Sequence, residues 1–305
     1  MALAPREASG KASWTGFVEP EPGLQIPCTI IRGRQPGPKL LVTAGVHGAE
    51  YSSIEAARRL SRLAPDAFAG ELTILPILNI GAFFQHRAFH NPSDDKNVNR
   101  VFPGDPKGTA SDRLAHWLVS QAMSGMDGYI DLHGGDIVEA LMPFSIYPDT
   151  HARSRELAIA SGLPFASASN RKVHSYAAAV GLGIPAVLLE AGQNGLVTEE
   201  AVGLLEGGVK GVMAELGMTA KANQPAKAAP RLVRMEVATA PDAGYWTCTT
   251  RPGAEVRKGD RVGTVADLIG RWEKPILAEH SGPVLYHLTS LAVNKSQALI
   301  GIAVS

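Results

Sequence analysis

The stretch LVTAGVHGAEYSSIEAARRL, residues 41–60, passes from an apolar strand-like run through a glycine turn into a helix. Residues 39–44 read as the strand, being rich in Leu, Val and Thr. Over 52–63, Ile54, Ala57, Leu60 and Leu63 recur at the spacing that lays them on one buried helical face. His47 and Glu50 stand at the junction. On an opening helical turn they share a face, so both can reach one metal ion. Taken alone, the pair reads equally well as a turn histidine beside a carboxylate that complements the helix N-terminus.

The same alternation continues outward. Residues 24–32 and 71–79 read as strands, 111–124 as helix, 127–132 as strand, 152–161 as helix, 185–190 as strand and 198–216 as helix. Strands alternating with helices predict an α/β fold with a largely parallel sheet, helices on both faces and ligands near the C-terminal strand ends. Residues 80–110 carry no sustained periodicity and contain NPSDDKNVNRVFPGDPKG. Irregular segments of that length inside a compact domain usually carry function. At 219–230 the composition turns to TAKANQPAKAAP, and beyond it come short β-type runs broken by PG, KGD and SGP. The expected division is a catalytic domain over 1–220, a linker over 221–230 and a small all-β domain over 231–305.

With 305 residues and a formal net charge of zero, the chain has neither the basic excess nor the basic runs of a nucleic-acid or anionic-membrane binder. Cys28 and Cys248 are far apart and read as buried thiols. The N-terminal MALAPREASGKASW lacks an apolar signal region, and no apolar run approaches membrane-span length. The expectation is a soluble cytoplasmic protein with a small-molecule substrate; a homo-oligomer is compatible with this composition.

Three further motifs bear on chemistry. In GMDGYIDLHGGD (125–136), Asp131 and His133 alternate onto one side of a strand, and His133 ends that strand beside two glycines. His47, Glu50 and His133 then make the open three-ligand set of catalytic zinc, which lowers the pKa of a bound water to about 7. Asp131 is either a partner that orients a ligand or a plain surface carboxylate. In DKNVNRVFPGD (95–105), Asn97, Asn99 and Arg100 sit in the irregular segment, with Arg87 upstream in FFQHRAF. Arginine presents a planar fork for a carboxylate, and asparagine adds a donor, although each arginine alone also reads as a solvated surface charge. In GIPAVLLEAGQNG (183–195), an apolar run delivers Glu190 to its C-terminal end. A carboxylate there is costly unless solvated, paired or catalytic, which makes Glu190 the candidate general base. No nucleophile elbow, HExxH or phosphate loop is present, and GLGIPA (181–186) precedes a strand, the wrong context for a dinucleotide turn.

Taken in order, GVHGAE, NVNRVFPGD, DLHGGD and LLEAG resemble the succinylglutamate desuccinylase/aspartoacylase family, within the zinc-carboxypeptidase superfamily, over about residues 24–217. The resemblance implies one zinc ion held by His47, Glu50 and His133, with Glu190 as general base. It further implies Arg87 as the group polarising the scissile carbonyl, and Asn99 with Arg100 as the clamp for a substrate carboxylate. The fold it implies is a mixed central sheet with helices on both faces, which adds antiparallel strands, and a small C-terminal β domain. PGAEVRKGDRVGTVADLIG (252–270) and AEHSGPVLYH (278–287) look like a barrel-sandwich, lipoyl-like half-motif repeat. Lys274 is the nearest candidate for a carrier lysine, but Pro275 follows it and the usual flanking acids are missing, so the domain reads as structural or site-gating.

The expected activity is hydrolysis of the amide bond of an N-acyl amino acid or similar small carboxylate-bearing amide. The rival enzyme is a zinc carboxypeptidase acting on peptides or cell-wall fragments. The rival of another class is a metal-binding or lipoyl-like interaction module without turnover, which has no need of Glu190.

Overall fold

The computed structural model describes residues 9–220 and 228–305; most of the expected linker lies outside the described residues. The first nine strands are β1 (Ser13–Val18), β2 (Ile26–Arg32), β3 (Lys39–Ala44), β4 (Glu71–Leu75), β5 (Gly128–His133), β6 (Glu139–Leu141), β7 (Phe144–Pro148), β8 (Phe165–Ser169) and β9 (Ala186–Glu190). Between them run α1 (Tyr51–Leu60), α2 (Ile80–Phe84), α3 (Ala110–Trp117), α4 (Ala152–Ala160), α5 (Ser175–Gly181) and α6 (Glu199–Glu215). The C-terminal strands are β10 (Arg231–Thr239), β11 (Gly244–Cys248), β12 (Glu255–Val256), β13 (Arg261–Ala266), β14 (Glu273–Leu277), β15 (Gly282–Leu288), β16 (Ala292–Val293) and β17 (Ala298–Val304).

The main sheet runs β1-β2-β4-β3-β5-β9-β7-β8-β10-β17-β15-β12, with β6 paired to β15. Its centre, β4-β3-β5-β9, is parallel, whereas β1, β2 and β7 join antiparallel. The sheet is therefore mixed, as the family resemblance implies, and the largely parallel order suggested by strand–helix alternation alone holds only at its centre. The antiparallel strands β1 (SWTGFV) and β7 (FSIYP) are interrupted by glycine, serine or proline and lack the apolar runs that marked β3 and β9. The expected strand over 71–79 stops at Leu75, before Pro76, and the expected helix over 111–124 is α3 continued by a π turn, Leu118–Ala122.

Central strands are buried on both faces, and their residue parity decides what each face carries. Leu40 and Val42 of β3, Ile130 and Leu132 of β5, and Val187 and Leu189 of β9 pack beneath α1, α4 and α6. Leu41, Tyr129, Ala186 and Leu188 face the opposite layer with Trp117, Tyr176 and Ala179. Truncating a fully buried residue such as Leu40 to Ala costs about 2–5 kcal/mol. By the same alternation Asp131, His133 and Glu190 belong to the second layer, and β5–β9 pairing sets His133 directly opposite Glu190.

The C-terminal strands do not stand apart from this sheet. β10 pairs in parallel with β8, and β17 and β15 extend the sheet beyond it. A separate four-stranded antiparallel sheet, β14-β13-β11-β16, packs against them over Trp246, Val262, Val265, Ile276 and Ile300. Lys274 lies within β14 opposite Val265 and binds Asp242, away from the hairpin tip where a carrier lysine would have to stand. Among the described residues no helix is long and apolar enough to cross a membrane.

Candidate metal centre and substrate cavity

β3 ends at Ala44, and the turn after it depends on glycine twice. Gly45 has φ of +64°, and a Cβ on Gly48 would stand 2.2 Å from the Ala82 carbonyl carbon. This tight passage presses the turn against α2 and brings His47 and Glu50 under the sheet end. Glu50 occupies the N-cap position of α1, but its carboxylate makes no cap. Instead its Oε1 is 2.6 Å from His47 Nδ1 and its Oε2 is 3.0 Å from His133 Nδ1.

All three residues are buried, at 6%, 3% and 1% exposure for His47, Glu50 and His133. Their ligand atoms lie within 4.8 Å of one another. The rear nitrogens are occupied too: His47 Nε2 is 3.1 Å from Asn97 Oδ1, and His133 Nε2 is 3.1 Å from Asp131 Oδ2. Each imidazole thus has an oxygen behind it at Nε2 and turns Nδ1 towards Glu50, the arrangement of a metal-ligating histidine held by a rear partner. This donor chemistry fits a divalent ion. Asp131 is thus no surface carboxylate: it is fully buried, accepts from Thr43 Oγ1 at 2.8 Å and is bound by the Ser175 hydroxyl.

The triad opens into a cavity of about 500 Å³ that also exposes Phe89, Asn99, Arg100, Glu139, Glu190 and Tyr286. Residues of the C-terminal strands, among them Met235, Val237 and Tyr286, form part of its wall. Burial works to raise the Glu50 carboxyl, but His133 and His47 outweigh it and hold it at about 2. Glu190 moves the other way: burial, with Glu50 and Glu139 beside it, pushes its carboxyl well up against the pull of His133. Glu139 is raised to about 7, first by burial and then by Glu50.

Arg100 stands in the cavity, reached by solvent although surrounded by protein. Its Nη1 donates to the Asn99 carbonyl at 2.9 Å and to His174 Nε2 at 3.0 Å. Burial, then Arg100 and Arg171, push His174 down to about 2, so its imidazole is neutral and can accept that bond. Among the described residues no carboxylate forms an ion pair with Arg100.

Residues 36–216 match the succinylglutamate desuccinylase/aspartoacylase catalytic domain. The chain belongs to the succinylglutamate desuccinylase/aspartoacylase family. It is 31% identical over 204 residues to the N-alpha-acetyl-L-2,4-diaminobutyric acid deacetylase of Halomonas elongata, a match covering 64% of this chain and 59% of that protein. The chain thus spans less than two thirds of that relative. The succinylglutamate desuccinylase/aspartoacylase structure from Rhodobacter sphaeroides superposes with a TM-score of 0.86 at 26% identity, over 100% of this chain and 99% of that one. The product-bound ectoine utilization protein EutE (DoeB) from Ruegeria pomeroyi shares the fold, with a TM-score of 0.85 at 22% identity over 100% and 98% of the two chains.

In this member of the family the structure brings His47, Glu50, His133, Asn99, Arg100 and Glu190 to one cavity. It does not bring Arg87 there: that side chain is 47% exposed and pairs with Asp95 at 2.9 Å. Asn99 is buried and already engaged, its Oδ1 accepting from the Ser175 N–H at 3.0 Å and its Nδ2 lying 3.4 Å from His133 Nε2. Residues that motif reasoning passed over are Asn97 as the rear partner of His47, His174 behind Arg100, and Glu139 and Tyr286 on the wall. The alternation that pointed to Asp131 was the one signal available for this group.

Proposed function

We propose that this chain is a zinc-dependent deacylase that hydrolyses the amide bond of an N-acyl amino acid with a free α-carboxylate, binding one ion per chain. The observation that carries the reading is the meeting of the His47–Glu50–His133 donor set, a carboxylate opposite His133 and an arginine without a counter-ion in one cavity. A zinc ion bound there supplies Lewis-acid polarisation of the carbonyl and activates water at neutral pH.

The chain's own residues divide the remaining work. Arg100, fixed through Nη1 by the Asn99 carbonyl and His174, keeps the rest of its fork for the substrate carboxylate. Asn99 Nδ2 lines the wall beside His133. Glu190 takes the proton of the attacking water on its carboxylate and delivers it to the leaving nitrogen; its raised pKa makes it a stronger base than an ordinary glutamate. Arg87, tied to Asp95 at the surface, is left out of this assignment.

A cavity of about 500 Å³ suits a small molecule better than a peptide. The Halomonas elongata relative is named for an Nα-acetyl amino acid, which supports the same substrate class. The test is an amine-release screen of N-acetyl, N-succinyl and N-aryl-acyl amino acids against dipeptides, with and without zinc. Zinc-dependent release from N-acyl amino acids is expected; release from dipeptides alone would make the protein a carboxypeptidase instead.

A further inference from the structure

Several arginines of this chain are held by carboxylates: Arg87 by Asp95, Arg113 by Glu21, Arg234 by Asp149. Arg100 is held differently, its Nη1 donating to the Asn99 carbonyl and to His174 Nε2. An arginine offers only N–H donors, so Nε2 must present its lone pair and the imidazole proton must sit on Nδ1. The ring that holds Arg100 is therefore neutral. Its Nδ1 is buried and has no hydrogen-bond partner among the described residues, a cost that asks for a reason. Glu139 on the same wall lies close enough for its field to reach Arg100, yet it forms no ion pair with it.

The imidazole is fixed by its neighbours on α5. Ser175 donates its N–H to Asn99 Oδ1 at 3.0 Å and its hydroxyl binds Asp131, so the start of the helix is tied at once to the Asn99–Arg100 loop and to the rear of the metal set. Tyr176 packs its buried ring 5.3 Å from the imidazole and bonds Ser169 at 2.8 Å. The His174 carbonyl accepts the Ala177 and Ala178 N–H groups at 3.1 and 3.0 Å, which opens the helix. A neutral ring held this firmly orients a guanidinium. A carboxylate in the same place would orient it too, but would also cancel its charge and leave little for a substrate carboxylate.

We infer that His174 is a positioning residue for carboxylate recognition: it aims Arg100 as a neutral acceptor and leaves the positive charge of the guanidinium for the substrate. The inference rests on the deacylase reading and adds to it the residue that keeps the clamp charged.

The test uses the zinc-loaded protein, the N-acyl amino acid hydrolysed fastest in the amine-release screen, and its methyl ester. Glutamine and glutamate share shape and reach, so they separate aim from charge. His174→Gln should keep most of kcat/KM for the free acid. His174→Glu should lie below it by about 10-fold or more, through KM more than kcat, because the guanidinium is then paired within the protein. The ester should distinguish the two variants far less. His174→Ala, which removes the acceptor, should also fall below His174→Gln on the acid. All three should still bind zinc, since His174 is no ligand. Equal losses in the Gln and Glu variants, or equal losses on acid and ester, would overturn the inference and leave His174 a packing residue. Loss of zinc would overturn it too, moving the role to the metal set. Nitrogen NMR of histidine-labelled protein, with His174→Gln to assign the signal, gives a readout without turnover. A neutral ring with its proton on Nδ1 is expected at neutral pH; a charged ring or an Nε2–H tautomer would overturn the inference. If no N-acyl amino acid is hydrolysed the deacylase reading falls, and the imidazole signal still decides the contact with Arg100.

Discussion

Nε2 of His133 lies 3.1 Å from Oδ2 of Asp131, at the opposite ring nitrogen from the one that faces Glu50. A buried carboxylate behind a ligating imidazole fixes its tautomer and raises its donor strength. Asp131→Asn should therefore weaken zinc binding by about 10–100-fold while the fold persists. Chelator competition measures this directly, and an unchanged affinity would show that Asp131 serves packing only.

Glu190→Gln should bind zinc like the parent protein and lose about 10²-fold or more in kcat, because proton shuttling typically contributes 10²–10⁴. The measurement is single-turnover amine release on metallated protein. Near-normal turnover would transfer the proton to another group.

Arg100→Ala should depress kcat/KM for free-acid substrates by roughly 10²-fold, at about 1.4 kcal/mol per decade. Methyl esters or amides of the same substrates should suffer far less. Arg100→Lys should rescue only in part, since an ammonium lacks the planar fork. Equal losses on acid and ester would mean that Arg100 holds its loop through the Asn99 carbonyl and His174 instead.

The strand-to-helix unit around His47 was legible because parity and helical period are local signals, and β3 coincides with its expected span over 39–44. Glu190 was legible for the same reason, as a charge at the end of an apolar run. Arg87 shows the limit. A guanidinium pairs with whichever carboxylate its loop presents, and Asp95, in a left-handed conformation with φ of 54°, presents one at the surface. Glu139 and Tyr286 share a wall because β6 pairs with β15 across a long stretch of chain, and no local pattern announces such a contact. β8, FASAS, follows its single large residue, Phe165, with only Ala and Ser and gives almost no strand signal.

Stability should carry an acid limb from the capping box of α3. The Lys96 ammonium at 2.7 Å, together with the Thr109 hydroxyl and N–H, holds the Asp112 carboxyl below its ordinary value. A depressed folded pKa stabilises above the unfolded value near 3.8 and loses that contribution as pH falls through the folded one. Asp112→Asn should thus cost about 1 kcal/mol at neutral pH, and the difference should shrink as pH falls below 3.8 and through the lowered folded pKa. Denaturant melts at several pH values check this; a penalty independent of pH would mean that the side-chain shape matters and its charge does not.

Titrating zinc into metal-stripped protein while following amine release from N-acyl amino acids decides between a metal-dependent deacylase and its rivals. Negligible release without metal and a rise that saturates at one equivalent per chain are expected. His133→Ala should show neither the stoichiometry nor the activity. Full turnover in the presence of chelator, or a fully active and metallated His133→Ala, would mean that the His47–Glu50–His133 set does not hold a catalytic ion.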